Sequence, residues 1–232
     1  MQIGALGDIH GAFDAVHDIM KRHPDVGLWV QVGDVASNDG EYFTPLAPLY
    51  WIKGNNEDFD VIAAAANGGD AFAATLHHLP NGGPYKVGPW RVAALGGTFA
   101  PSWYHTPASQ LPPSRGRKTA GMALKLGKSR DDKRRHFVRD EVLMCKALRN
   151  IELFLTHEAP RPFYPAGRRI DAGKTALNDV LASMRPRLHL FGHHHEFTDS
   201  IRQGVRSIGL DLVTKSYLLV DADTFKCERL DT

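Results

Sequence analysis

Five apolar runs lie along the chain, at residues 3–6, 28–32, 50–52, 151–155 and 188–191, and each ends in a short polar cluster. The clusters are Asp8-Ile9-His10, Gly33-Asp34, Gly54-Asn55-Asn56-Glu57, Thr156-His157-Glu158 and Gly192-His193-His194-His195. Short continuous apolar runs bounded by glycine and polar residues read as buried strands. Between the first two, Phe13, Val16, Ile19 and Met20 recur at helical spacing and predict an amphipathic helix over 11–22. An alanine-rich stretch predicts a second helix over 58–66, ended by Gly68-Gly69. Residues 85–95 read as a hairpin turning at Gly88-Pro89. Residues 100–135, with Pro101, Pro107, Pro112 and Pro113, break the pattern. Helices resume over 140–149 and 176–184, and residues 199–230 alternate like antiparallel strands with a turn at Gly204. His77-His78, just before Pro80, read as loop. Strands alternating with helices indicate an α/β fold. If the five strands are parallel, all five clusters emerge at one edge of one sheet, where ligand sites of open α/β sheets form.

Those clusters carry chemistry that no apolar core needs. In an extended Asp8-x-His10, and again in His193-x-His195, period-two alternation puts both side chains on one face. His194 then points the other way. Asp offers a hard oxygen and His a borderline nitrogen, a mixture suited to manganese, iron, zinc or nickel rather than calcium or magnesium. Two such ions lie about 3.5–4 Å apart in hydrolytic sites, which requires a bridging carboxylate. Asp34, after a turn glycine, is the candidate bridge, and Asn55 offers a neutral carbonyl oxygen. A metal pair of this kind lowers the pKa of a bridging water and clamps phosphoryl oxygens. Read without function, the same residues are unrelated strand-end polar groups, which their joint order makes a poor account.

The order D-x-H, G-D, G-N-x-E, T-H, G-H-x-H resembles the calcineurin-like metallophosphoesterase superfamily, and the match spans residues 1–195. The resemblance implies an α/β/β/α sandwich with two stacked mixed sheets, and two divalent transition-metal ions, manganese favoured. Asp8, His10, Asp34 and His195 would hold the first metal, and Asp34, Asn55, His157 and His193 the second. In one respect the chain departs from the pattern. The family's G-N-H-[DE] places a histidine near the scissile phosphate, often treated as the acid that protonates the leaving oxygen; here that position is Asn56. An amide donates hydrogen bonds but gives up no proton near neutral pH. His10 and Asn56 are therefore the candidate catalytic residues, and His105 is the spare histidine whose segment could fold over the site. A narrower similarity is to RNA lariat debranching enzymes, which hydrolyse 2′,5′-phosphodiesters. It rests on Gly96-Gly97 after a strand, on the run His136-Phe137-Val138-Arg139 at a helix start, and on residues 151–160, which end in Thr156-His157-Glu158-Ala159-Pro160. The chain keeps His10, where many debranching enzymes carry cysteine. The phosphoprotein phosphatases share G-D-x-H-G but follow their second motif with an aspartate-arginine-glycine run that is missing here.

Composition narrows the picture further. A chain of 232 residues with 43% apolar content suits a globular domain, so residues 1–232 read as one metallophosphoesterase domain with a basic insertion at about 100–139. No run approaches the ~20 apolar residues that span a bilayer, and the first residues read as a strand rather than a signal peptide. With only Cys145 and Cys227, no disulfide framework or thiolate metal spacing is present, and a reducing cytoplasm is the simplest home. Residues 115–139 hold ten Lys and Arg against Asp131 and Asp132, in a chain whose formal charge is +2. Read functionally, this is a lid that attracts polyanions, nucleic acid among them, with Arg134 and Arg135 as substrate contacts and Trp103, Tyr104 and His105 available for stacking. Read otherwise, it is a solvated loop. The expected activity is hydrolysis of a phosphate ester, a phosphodiester of a nucleotide or nucleic acid being favoured. The alternatives are a phosphomonoesterase or a metal-binding scaffold for protein contacts.

Overall fold

The computed structural model describes residues 1–114 and 131–232. Within them, twelve strands form two six-stranded mixed sheets. The first contains β1 (Gln2–Leu6), β2 (Trp29–Gln31), β3 (Leu49–Trp51), β4 (Leu76–His78), β11 (Ser216–Asp221) and β12 (Cys227–Asp231), in the order β12-β11-β1-β2-β3-β4. The second contains β5 (Gly82–Val87), β6 (Trp90–Leu95), β7 (Leu153–Thr156), β8 (Leu188–Phe191), β9 (Thr198–Arg202) and β10 (Val205–Gly209), in the order β5-β6-β7-β8-β10-β9. β1 to β4 run parallel, as do β6, β7, β8 and β10, while β5, β9, β11 and β12 pair antiparallel. The five motif strands are thus divided between two sheets rather than lined along one.

Period-two alternation builds the layers. Ile3, Ala5 and Val30 of the first sheet meet Val92, Ala94, Leu153, Leu155, Leu188 and Leu190 of the second in a shared central core. The opposite faces are covered by helices. Leu6, Trp29, Leu49 and Trp51 pack with Val16, Ile19 and Met20 of α1 (Phe13–Arg22), and α2 (Phe59–Ala66) joins them through Ile62. Ala93, Leu95 and Phe154 pack with Val142 and Cys145 of α3 (Arg139–Ala147) and Leu177, Val180 and Leu181 of α4 (Thr175–Met184). The result is the α/β/β/α sandwich. Asp58 caps α2 by accepting from the amides of Asp60 and Val61.

The 85–95 hairpin and the 199–230 alternation are realised as β5–β6, β9–β10 and β11–β12. β4 is a difference from expectation: His77 and His78 form a short parallel strand against β3, not a loop. His77 stacks on Tyr50 at 4.6 Å, and the His78 ring lies 4.7 Å from Trp51. Three residues with two histidines carry too little apolar signal to mark a strand. Among the described residues, no helix is long and apolar enough to cross a membrane.

Candidate metal centre

The carboxyl ends of β1, β2 and β3 in one sheet and of β7 and β8 in the other meet across the central core, and loop-to-loop hydrogen bonds hold them there. The amides of Ile9 and His10 both donate to the Asp34 carbonyl, at 3.0 and 2.8 Å. Gly192 N–H donates to the His157 carbonyl at 3.2 Å. Two bonds cross between the sheets: His157 Nδ1–H donates to the Val32 carbonyl at 2.8 Å, and the His193 amide donates to Asp8 Oδ1 at 3.0 Å. Two glycines make room for this lacing. A Cβ on Gly54 would stand 2.0 Å from Asp34 Oδ1, and one on Gly192 would stand 2.3 Å from Asp8 Oδ1.

His10, Asp34, His193 and His195 all lie in the left-handed backbone region, with φ of 49, 61, 69 and 53°. Non-glycine residues rarely adopt it, and such strain clusters at functional sites. The expectation of extended D-x-H and H-x-H pairs is corrected here. The side chains converge because the chain turns sharply beyond each strand, not because strand alternation continues. Helix α1 likewise starts at Phe13 rather than Gly11, and the preceding amides are spent on the loop after β2, Gly11 N–H on the Val35 carbonyl.

Two adjoining sets of potential metal ligands result, Asp8–His10–His195 and Asp8–Asp34–His157. His195 Nε2 lies 3.0 Å from Asp8 Oδ2 and 3.1 Å from His10 Nε2. Asp8 is common to both sets, and Asp34 of the second set reaches toward the first: its Oδ2 is 3.7 Å from His10 Nε2 and its Oδ1 is 3.6 Å from His157 Nε2. Asn55 Oδ1 is 3.1 Å from that same His157 nitrogen. His193 contributes its amide to Asp8, and its ring stands 4.9 Å from that of His157.

The donor set fits metal ions. With Nδ1–H committed to a carbonyl, a neutral His157 presents a lone pair at Nε2, facing the oxygens of Asn55 and Asp34. Three acceptors aimed at one point need a cation among them, either a second ring proton or a metal ion. A ring whose other nitrogen donates to a backbone carbonyl is the usual supporting arrangement of a metal-ligating histidine. The electrostatics agree. Burial disfavours charge on His157, yet the Asp34 and Asp8 carboxylates outweigh it and raise its pKa. Burial likewise works against ionised Asp34, but His157, His10 and the hydrogen bonds from Asn56 hold its pKa below the ordinary value. His195 is raised chiefly by its hydrogen bond to Asp8. His193 is pushed down to about 2, by burial first and then by His157.

Asn56 enters this network directly. Its side-chain Nδ2 donates to Asp34 Oδ2 at 2.6 Å, and its amide donates to Asp34 Oδ1 at 2.7 Å, beside the Asn55 amide at 2.6 Å. Glu57 ties the surrounding loops together. It accepts from the amides of Val35, Ala36 and Gly54 and from Tyr42 Oη. Burial, then the Asp34 charge, raises its pKa to about 7. Glu158 is buried, accepts from the Phe99 amide and pairs with Lys174. His194 points away and stacks on Phe163 at 4.5 Å. His105 is exposed, edge-on to Tyr104, and Tyr104 packs the segment onto the helical face of the second sheet.

Gln31 is a supporting residue that the apolar pattern concealed. Buried at the end of β2, it donates to the Gly7 and Gly33 carbonyls and accepts from Gly33 N–H, shaping the turns after β1 and β2. The detectable signal was a lone polar residue inside an apolar strand. Of the basic run, Arg115, Arg117, Lys118, Lys125, Lys128 and Arg130 lie outside the described residues. Arg134 is placed in an internal network. Its guanidinium donates to Asp132 at 2.6 Å, to Asp60 at 2.7 Å and to the Phe59 carbonyl at 3.2 Å. Arg135 is partly buried beside it, and its carbonyl accepts from the Thr98 amide at 2.9 Å.

Comparison with known proteins decides the family. The sequence profile of the calcineurin-like phosphoesterases matches residues 1–197. The chain belongs to the calcineurin-like phosphoesterase family. No curated protein matches it by sequence. Its fold is similar to the protein TT1561 of Thermus thermophilus, with a TM-score of 0.62 at 15% identity, covering 99% of this chain and 98% of that one. It is also similar to a novel archaeal phosphodiesterase, with a TM-score of 0.53 at 11% identity and full coverage of both. A putative 5′-nucleotidase from Staphylococcus aureus has a TM-score of 0.51 at 11% identity, covering 99% of this chain and 54% of that one. As a calcineurin-like phosphoesterase, the chain is a metal-dependent phosphoester hydrolase.

Proposed function

We propose that this calcineurin-like phosphoesterase hydrolyses phosphodiesters at a dinuclear centre. Asp8, His10, Asp34 and His195 would hold one ion, and Asp34, Asn55, His157 and His193 the other. The observation that carries the proposal is the reach of Asp34, whose two oxygens face the nitrogens of His10 and His157 in separate ligand sets. A divalent pair, manganese favoured for this mixed oxygen and nitrogen set, supplies an activated water and charge to clamp phosphoryl oxygens. The residues do the rest. The Val32 carbonyl fixes the His157 tautomer, and Asn56 and Asn55 hold the Asp34 carboxylate in place. His10 is partly open to solvent, where a substrate could meet it.

Asn56 favours substrates whose leaving oxygen departs without a donated proton. A diester preference is supported by the likeness of residues 151–160 to the debranching enzymes' strand and by the fold shared with a protein described as a phosphodiesterase. The test is to strip the protein with chelator, reconstitute it with manganese, and measure ions per chain and turnover of an aryl phosphodiester and an aryl phosphomonoester. Two ions per chain with faster diester turnover is the expected result. One ion or none at saturation, or a monoester preference, would overturn it.

A further inference from the structure

A cleft of about 600 Å³ opens beside the ligand cluster. One wall holds His193 and His195, and another holds Pro165 and Arg168 from the segment between β7 and α4. Asp211 and Lys215, from the turn between β10 and β11, complete the lining. Its walls are tied together. Asp171 accepts from the amides of Phe163 and Gly173 and from Arg161 Nε, which shapes the Arg168 segment. Glu196 accepts from the Ala166 amide at 2.7 Å and stitches that segment to the His195 loop.

The charges in the cleft are unequally committed. Asp211 is buried and already accepts from the Leu212 amide at 2.7 Å and from Lys215 Nζ at 3.1 Å. Glu196 is held by the Ala166 amide. Lys215 retains further N–H donors, and Arg168 is exposed on the cleft wall. Guanidinium and ammonium groups together suit a phosphate, the first as a bidentate donor and the second as a point charge. Arg134, by contrast, spends its fork on Asp132, Asp60 and a carbonyl.

Building on the phosphoesterase reading, we infer that this cleft seats a second phosphoryl group of the substrate, next to the scissile one, with Arg168 and Lys215 as its ligands. The substrate class is then a nucleotide or short oligonucleotide with phosphates on neighbouring positions, rather than an ester with a single phosphate.

The test compares two labelled dinucleotides with a hydrolysis-resistant phosphorothioate link, one bearing a terminal 5′-phosphate and one without it. Binding to manganese-reconstituted protein is measured for each. The wild type binds the phosphorylated ligand about tenfold tighter, the scale of one charge-assisted contact. Arg168→Ala and Lys215→Met bring that ratio toward one, and Arg168→Lys restores part of it. Asp211→Asn, which releases Lys215 from its ion pair, raises the ratio. Equal binding of the two ligands by the wild type, or a ratio unchanged in both Arg168→Ala and Lys215→Met, would overturn the inference. Hydrolysis of the corresponding ordinary dinucleotides separates the two levels. A binding preference without cleavage supports the cleft and overturns the phosphodiester reading of the site; cleavage without preference overturns the cleft alone.

Discussion

Asn56 sits where the related motif carries histidine, and its amide reaches Asp34 Oδ2 at 2.6 Å. A residue that could have donated a proton to the leaving group is here a clamp on the proposed bridging carboxylate. Two predictions follow at this scale. Without an acid at this position, aryl esters should be cleaved far faster than alkyl esters, and Asn56→His should raise the alkyl rate by up to about 10²-fold, the lower range of general acid catalysis. Rates for a series of diesters graded by leaving-group pKa would show it. A wild type indifferent to leaving group, with chemistry rate-limiting, would mean that another side chain supplies the proton. The second concerns Gly54. Its missing Cβ leaves room for Asp34 Oδ1, so Gly54→Ala should displace the carboxylate and sharply weaken metal binding. Calorimetric titration with manganese, checked against an unchanged circular dichroism spectrum, measures this; wild-type affinity in the variant would sink it.

At the scale of elements, the segment at the end of the basic insertion is a strap across the two sheets. Lys53, just past β3, donates through Nζ to the carbonyls of Arg134 and His136 at 2.9 and 3.2 Å. The amides of Thr98 and Phe137 bond the same strap to the loop after β6. Burial lowers the pKa of Lys53, opposed by the Glu141 and Asp132 charges. Lys53→Met keeps the buried stem and deletes the two bonds. It should cost about 1–3 kcal/mol and speed amide exchange at Thr98 and Phe137, while the Ile9 and His10 amides stay protected. Exchange unchanged at Thr98 and Phe137 would show that the strap is held without Lys53. The charge run thus has an end docked by hydrogen bonds, which a count of lysines and arginines does not reveal.

For the molecule as a whole, stability should depend on a buried histidine that belongs to neither ligand set. His189, in β8, is fully buried between Thr156 Oγ1 and Ser207 Oγ, and burial pushes its pKa down to about 3. Thr156 gives its own proton to the Glu158 carbonyl, so it accepts from His189 Nε2–H, which assigns the tautomer. In the unfolded chain the ring titrates near the ordinary ~6.5. Between that value and about 3 the unfolded state therefore binds a proton that the folded state refuses. The stabilisation is whole above pH ~6.5 and is lost as pH falls, by up to about 1.4 kcal/mol per unit. Urea unfolding at pH 7 and pH 5 should show the wild type losing about 2 kcal/mol more than His189→Gln. Equal losses would rule His189 out.

What the chain's linear pattern determined by itself was local. It located the motif strands, the amphipathic helices and the five polar clusters, because apolar periodicity and glycine placement are properties of neighbouring residues. Fold family was also legible, since the motif order is a linear property. Tertiary structure decided how those pieces meet. The strands divide between two sheets, His10 and His193 approach through left-handed turns, Gln31 and Glu57 brace the loops, and Arg134 bonds inward. Each of these depends on partners far along the chain, up to 185 positions away for His193 and Asp8, or on backbone angles that side-chain type alone does not dictate. The Arg168–Lys215 cleft is of the same kind. Neither residue stands out in the sequence, and only the packing of two distant turns against the ligand cluster brings their charges together.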